Sequence, residues 1–294
     1  MTHQEFLTAL PPETRAALTE ISARAGLWHL AGHGGAILLC GVLIALKVPL
    51  WPVLLPVQGV LIIFLFTLEH ECTHQTPFVS GTLCDRVGRV CGVLLLNPFV
   101  WFRYFHLAHH RFTNVLGKDP ELDSAKPESR AAWMWHVSGV PMWGASLALI
   151  GRLALGREKA GYLPIRQIPR MTAEARVLLV VYALSAASLL VSDVLLWVWL
   201  VPIVLGQPVL RLYLLAEHGD CPHVADMFLN TRTTFTTAVV RFLAWNMPYH
   251  AEHHVFPSVP FHNLPQLHRL IRAHLQVTAP GYVAFTRDYL ARRR

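Results

Sequence analysis

The sequence predicts an all-α integral membrane protein with about four transmembrane helices, an interfacial helix and a cytoplasmic helical cap. Three observations carry this reading. Of the 294 residues, 53% are hydrophobic and only 15% charged, a balance unusual for a soluble domain. The apolar residues gather in runs of about 20, the length that crosses ~30 Å of hydrocarbon as a helix. Histidines gather in clusters at the ends of these runs or in the segments that follow them.

Residues 1–26 read as a solvated preamble. Pro11-Pro12-Glu13-Thr14 opens a short amphipathic helix suited to the membrane surface, and Gly26 can end it. Acids and prolines stand where a signal peptide would carry its apolar core, so the N-terminus is expected to stay in the cytoplasm. Residues 27–69 form a first transmembrane hairpin, broken at Lys47-Val48-Pro49. His29 and His33, one turn apart in it, are expected to be packing or interfacial histidines. Residues 87–105 are apolar but contain Arg89, Asn97, Pro98 and Arg103, which argues for a buried or re-entrant segment rather than a full span. The acid-rich stretch with Asp119, Glu121 and Asp123 reads as a solvated loop. Residues 133–155 suit an interfacial helix with Trp133, Trp135 and Trp143 at headgroup depth. A basic linker, 157–176, precedes a second hairpin over 177–217 that turns at Ser192-Asp193. Residues 218–294 form the cap and tail, with an amphipathic helix at 264–275 and Arg292-Arg293-Arg294 at the end.

Four crossings put both termini and the middle loop on one side. The short turns opposite hold only Lys47 of the 25 Lys and Arg residues, so the positive-inside rule makes the shared side cytoplasmic. In a bacterium this is the inner membrane. The net charge of +7 is scattered and lacks interleaved aromatics, which speaks against a nucleic-acid partner. The five cysteines form no C-x-x-C pair and read as reduced and structural, with Cys72 the one alternative soft ligand.

The chemistry is concentrated in His70 and His74, then His106, His109 and His110, then His218, then His250, His253 and His254. Spacing at i, i+3 and i+4 sets imidazoles on one side of a helix. One metal in a nitrogen and oxygen site takes roughly four to six ligands, so nine histidines suit two metals better than one. Imidazole serves Fe, Zn, Cu and Ni alike. His70-Glu71-Cys72-Thr73-His74 is also H-E-x-x-H, the pattern of a zinc protease with Glu71 as general base, but that reading leaves seven clustered histidines unused. A metal transporter would carry ionisable groups near the middle of its spans, whereas these lie at the ends.

The segment after the last cluster is the most specific. Tyr249-His250-x-Glu252-His253-His254-x-Phe256-Pro257-x-Val259-Pro260-x-His262-Asn263-Leu264-Pro265 closely resembles the bacterial acyl-lipid branch of the membrane fatty acid desaturases of the histidine-box type. The resemblance runs from the first hairpin to His268, with the nine histidines in the three boxes and the isolated position. It implies a non-haem di-iron centre that uses O₂ and two external electrons to remove two hydrogens from an aliphatic chain, most simply a lipid acyl chain. No His-Pro-Gly-Gly haem motif or iron–sulfur cysteine set is present, so electrons are expected from a separate donor such as a ferredoxin with its reductase, or a cytochrome. Hydroxylases and ketolases acting on lipids or carotenoids share the scaffold and are the alternative.

The chain departs from the pattern in two places. The first box has three intervening residues where many desaturases have four. Where acyl-CoA desaturases place a water-holding Asn, four residues before the isolated histidine, this chain has Leu214, and Asn246 is the candidate substitute. Glu71, Glu217 and Glu252 each adjoin a ligand histidine and are expected to accept imidazole N–H bonds. His136, His223, His262, His268 and His274 read as packing or surface histidines, with His262 and His268, in the desaturase-like tail, the alternative candidates for a place behind the ligands.

Overall fold

The structure is a computed structural model describing residues 1–294. It is helical and of membrane type. Four stretches are long and apolar enough to cross a bilayer, at Pro12–Ala45, Trp51–His74, Ile165–Ser188 and Leu196–His218. Helices α1 (His3–Ala9) and α2 (Pro12–Thr19) lead into α3 (Ala23–Ala45), then α4 (Leu54–Ile63) and α5 (Leu65–His74). Helices α4 and α5 run on as one membrane-length stretch interrupted only at Phe64, where Thr67 Oγ donates back to the Phe64 carbonyl at 2.8 Å.

The helix expected in the preamble does not end at Gly26. It stops at Thr19, α3 starts at Ala23, and Gly26 lies inside α3, where a Cβ would collide with the Pro77 carbonyl. Nor is the preamble a free surface helix. Leu18 is fully buried, His3 Nδ1 lies 3.0 Å from Asp226 Oδ1, and Asn263 Nδ2 donates to the Leu18 carbonyl at 3.0 Å, so the apolar side of α1 and α2 is covered by the cap.

Helices α6 (Gly81–Leu95) and α7 (Phe99–Phe112) meet at a 100° bend, the geometry of a re-entrant or broken segment. Leu96 adopts a left-handed backbone, Pro98 caps α7, and the Asn97 side-chain amide donates to Glu69 Oε2 at 3.1 Å. The expected single interfacial helix is two, α8 (Arg130–Val137) and α9 (Val140–Ala154), bent by 55° at left-handed Gly139. The second hairpin also starts earlier than expected. Helix α10 (Ile168–Ser188) absorbs part of the basic linker, because Met171 and Ala175 are fully buried against α9 and reward helix formation before the apolar run begins. Helix α11 (Val201–His218) follows a π-helical turn, and the two hairpin turns are tied by Lys47 Nζ to Asp193 Oδ2 at 3.1 Å.

Leu38, Leu39 and Val42 on α3 and Val177, Val180 and Leu184 on α10 are exposed, a lipid-facing pattern. Helices α4 and α11 cross backbone to backbone at Gly59 and Gly206, where a Cβ on either would strike the main chain of the other helix. Gly206→Val is expected to cost upwards of ~2 kcal/mol and remove the monodisperse peak in size-exclusion chromatography. Gly34→Ala, in open space on α3, is expected to leave that peak intact.

The cap comprises α12 (Met227–Asn230), α13 (Ala238–Leu243), α14 (His250–Val255), α15 (Leu264–Ile271) and α16 (Tyr282–Ala291), with one short parallel pairing between β1 (Thr233–Thr234) and β2 (Thr278–Ala279). All six residues of α14 are buried, so it is wedged inside the protein and not laid on its surface. The tail is tied down too, since Arg292 and Arg293 both bond to Asp220.

Candidate metal centre

Four helices bring the clustered histidines together. Helix α5 and the re-entrant α7 supply His70, His74, His106 and His110, and α14 adds His253, giving five imidazoles whose ring nitrogens lie within 4.8 Å of one another. Beside them, His109, His218 and His254 form a second set on the same criterion. His250 completes it, with Nε2 3.1 Å from both His218 Nε2 and His254 Nε2. The two H-x-x-H-H boxes thus split in opposite senses. Helix α7 sends His106 and His110 to the first set and His109 to the second, while α14 sends His250 and His254 to the second and His253 to the first. His110 and His254, one from each set, stack at 4.0 Å between centroids.

The partners of the outer ring nitrogens determine which nitrogen carries the proton. His109 Nδ1 donates to Asp119 Oδ1 at 2.9 Å, with Glu121 Oε2 at 3.1 Å. His218 Nδ1 donates to the Asn230 carbonyl at 3.1 Å. His254 Nδ1 donates at 3.1 Å to Thr113 Oγ, whose own proton goes to the His109 carbonyl. His250 Nδ1 lies 3.3 Å from Glu217 Oε1. The rings of His109, His218 and His254, bonded through Nδ1, therefore turn Nε2 inward, whereas His250 Nδ1 is buried without a hydrogen bond. The Nε2 atoms of His109 and His218 lie 3.2 Å apart, and although burial lowers the His109 pKa, Glu121 and Asp119 outweigh it and raise it, so this position favours a positive charge, a proton or a metal cation. In the first set, the Nε2 atoms of His74 and His106 are 2.9 Å apart and those of His110 and His253 3.1 Å apart. His70 is buried with neither ring nitrogen bonded, a costly state that a metal would relieve. Burial also holds His250, His253 and His254 well below the usual imidazole range, so the cap contributes neutral, ligand-competent rings. The donor set fits metal ions.

The acidic loop is solvated at Asp123, as expected, but not at Asp119. Asp119 is buried, and it also accepts the N–H groups of Asn114 at 2.7 Å and Glu121 at 3.0 Å. Burial raises its pKa, but the His109 and backbone hydrogen bonds outweigh burial and leave it below the usual carboxylate range. The one local signal was Asp119-Pro120, the start of a short 3₁₀ turn; nothing in the spacing linked it to His109. Thr113 and Asn230 carried no signal.

Of the expected carboxylate acceptors, Glu217 lies against His250. Glu71 is 3.8 Å from His253 Nδ1 through Oε1, while Oε2 accepts from Thr76 Oγ at 2.9 Å and the Phe261 N–H at 3.1 Å. Glu71 thus stands behind an imidazole rather than at an open metal position, which removes it as the general base of a zinc protease. Glu252 departs from expectation, since its carboxylate binds His268 Nδ1 and Thr233 Oγ and no clustered histidine. His268 is accordingly a bonded partner and not a simple packing residue. Asn246 departs as well, with a left-handed backbone and an amide that donates to the Phe261 carbonyl at 3.0 Å. Cys72 is packed in the hydrophobic core, apart from both histidine sets.

A cavity of about 370 Å³ reaches His70, His106, His109, His218 and His250, with Phe66, Phe102, Leu149 and Leu210 among its walls. That volume is in the range of small-molecule sites, ~300–1,000 Å³.

Fold and site define a helical membrane-type protein whose histidine clusters can bind metal. The chain belongs to the fatty acid desaturase family, which it matches over residues 49–286. It is similar to fatty acid conjugase FAC2 B of Calendula officinalis, at 25% identity over 241 residues covering 71% of this chain and 64% of that protein. It is also similar to a Delta(12)-acyl-lipid-desaturase of Punica granatum, at 32% identity over 111 residues, 38% of this chain and 28% of that protein. A Delta(12) fatty acid desaturase of Mortierella isabellina matches at 36% identity over 69 residues, 24% of this chain and 17% of the other. The chain therefore spans under two thirds of the length of these relatives.

Proposed function

We propose that this protein is an O₂-dependent oxidoreductase that introduces a carbon–carbon double bond into a lipid acyl chain or related aliphatic substrate, at a non-haem di-iron centre. The observation that carries the reading is the convergence of nine imidazoles into adjoining sets of five and four beside a cavity with apolar walls. The five-membered set, His70, His74, His106, His110 and His253, would hold one iron, and His109, His218, His250 and His254 the other. When bound, the irons supply the O₂ and electron chemistry that no side chain can perform.

The chain's own residues have three tasks in this mechanism. Asp119, Glu121, Thr113 and the Asn230 carbonyl orient the imidazoles of His109, His254 and His218 so that Nε2 faces inward, and Glu217 stands behind His250. Phe66, Phe102, Leu149 and Leu210 line the path along which an alkyl chain lies against the metals and exclude water from it. Burial of the cap's histidines keeps them unprotonated.

Electrons would come from a separate donor, a ferredoxin with its reductase or a cytochrome. The scarcity of Lys and Arg in the two short hairpin turns supports a cytoplasmic site in a bacterial inner membrane, with both termini on that side. The whole chain, 1–294, would act as one desaturase-like unit. Metal analysis of the purified protein should find about two irons per chain, and zinc alone would sink the reading. In a reconstitution fed with lipid, O₂ and reductant, mass spectrometry should find an alkene. Hydroxylated product without alkene would assign the protein to the hydroxylases of the same scaffold instead.

A further inference from the structure

The cavity beside the histidines is not uniformly apolar. Arg211 lines it from the middle of α11, a helix long and apolar enough to cross the membrane. Its guanidinium makes no side-chain hydrogen bond and no ion pair within 4.0 Å, and its Nε is buried without a partner. His136, from α8, lines the same cavity with Nε2 likewise buried and unpartnered. The carboxylates that share the cavity are engaged elsewhere, Glu121 with His109 Nδ1 at 3.1 Å and Glu217 with His250 Nδ1 at 3.3 Å. Lys126 adds a second cation to the wall, placed by its bond to the His218 carbonyl at 3.0 Å.

An arginine inside a membrane helix is expensive and is retained where it meets a partner or a ligand. No carboxylate hydrogen-bonds it here, and the two whose charge reaches it, Glu121 and Glu217, each lie against a histidine. Guanidinium suits carboxylate and phosphate by paired, charge-assisted hydrogen bonds. We propose that Arg211, with His136 beside it, anchors an anionic headgroup, so that the substrate is an alkyl carboxylate or alkyl phosphate held by its charged end rather than a neutral hydrocarbon. The inference rests on the desaturase reading only in calling the ligand a substrate; the anion site itself is independent of which reaction follows.

The test measures binding, without reductant, to the purified iron-loaded protein in a non-ionic maltoside detergent. Three probes of equal chain length are compared by calorimetry: dodecanoate, dodecyl phosphate and dodecanol. At least one anion is expected to bind about tenfold or more tightly than the alcohol, ~1.4 kcal/mol, and the preferred anion separates carboxylate from phosphate. Arg211→Gln should erase the preference while leaving dodecanol affinity, iron content and the size-exclusion profile unchanged, and Arg211→Lys should keep part of it. Equal affinity for all three probes in the unmodified protein overturns the proposal even if Arg211→Gln fails to fold. A preference that survives in Arg211→Gln also overturns it, because the anion would then rest on the metals. Since no turnover is involved, a protein that shows the preference but yields a hydroxylated product would refute desaturation and leave the anion site standing.

Discussion

His253→Ala is expected to abolish turnover and to lower bound iron from about two per chain to about one or fewer, with membrane insertion intact. His253 is the one ring of the five-membered set that comes from the cap, and its side chain is fully buried. Its Nε2 lies 3.1 Å from His110 Nε2, and its ring centroid lies 4.6 Å from that of His70 and 4.7 Å from that of His74. Alanine would leave four imidazoles on α5 and α7 and a gap facing α14. The substitution leaves α14 and its packing residue Val255 in place, so extraction yield and size-exclusion profile should match the unmodified protein. Iron content by mass spectrometry and product formation in the same preparation check the prediction. Full activity with unchanged iron would remove His253 from the ligand set.

Asp119→Ala should cut activity and iron affinity by roughly 10- to 100-fold, the usual effect of losing the group that orients a ligating imidazole. Its carboxylate accepts the His109 Nδ1 proton and two backbone N–H groups at once, so alanine also leaves buried donors unsatisfied, at about 1–3 kcal/mol. Asp119→Asn isolates the two effects. The amide oxygen can still serve His109 and Glu121, but the amide N–H would face the Asn114 N–H, donor against donor. Asparagine should therefore hold iron better than alanine while still lowering thermal stability. A thermal melt with and without added iron, alongside iron titration of each variant, separates the contributions. Wild-type iron affinity in Asp119→Ala would show that the loop is a bystander.

Much of the architecture is legible in the chain because the determinants are local. Residues that cross lipid must satisfy their backbone within their own helix, so a long apolar run declares itself without knowledge of neighbours. The apolar runs and the breaks at Lys47 and Asp193 need only composition, and the 100° turn between α6 and α7 is marked by Asn97-Pro98. Boundaries set by burial against another helix are not legible. Helix α10 starts at Ile168 because Met171 and Ala175 pack under α9, and the glycine at position 26 serves a close approach of the Pro77 carbonyl to α3 rather than a helix end.

The candidate site divides in the same way. Eight histidines at helical spacing, the isolated His218 and their segregation to span ends come from the sequence alone, as does the tail that resembles the desaturases. Only the tertiary structure decides which ring joins which set, since a turn-spaced trio can point at one centre or straddle two. Helices α7 and α14 straddle, in opposite senses, because each is wedged between the pair of sets. The partners of the Nδ1 atoms were equally out of reach. Asp119 is ten residues from His109, and the Asn230 carbonyl is backbone with no side-chain signature. Adjacency in sequence misled for Glu252, which sits beside His253 yet turns toward His268. Helical geometry sends neighbouring side chains in different directions, so residues next to a ligand are rarely the ones behind it. The convergence that would let these imidazoles hold metal is a property of the assembled fold.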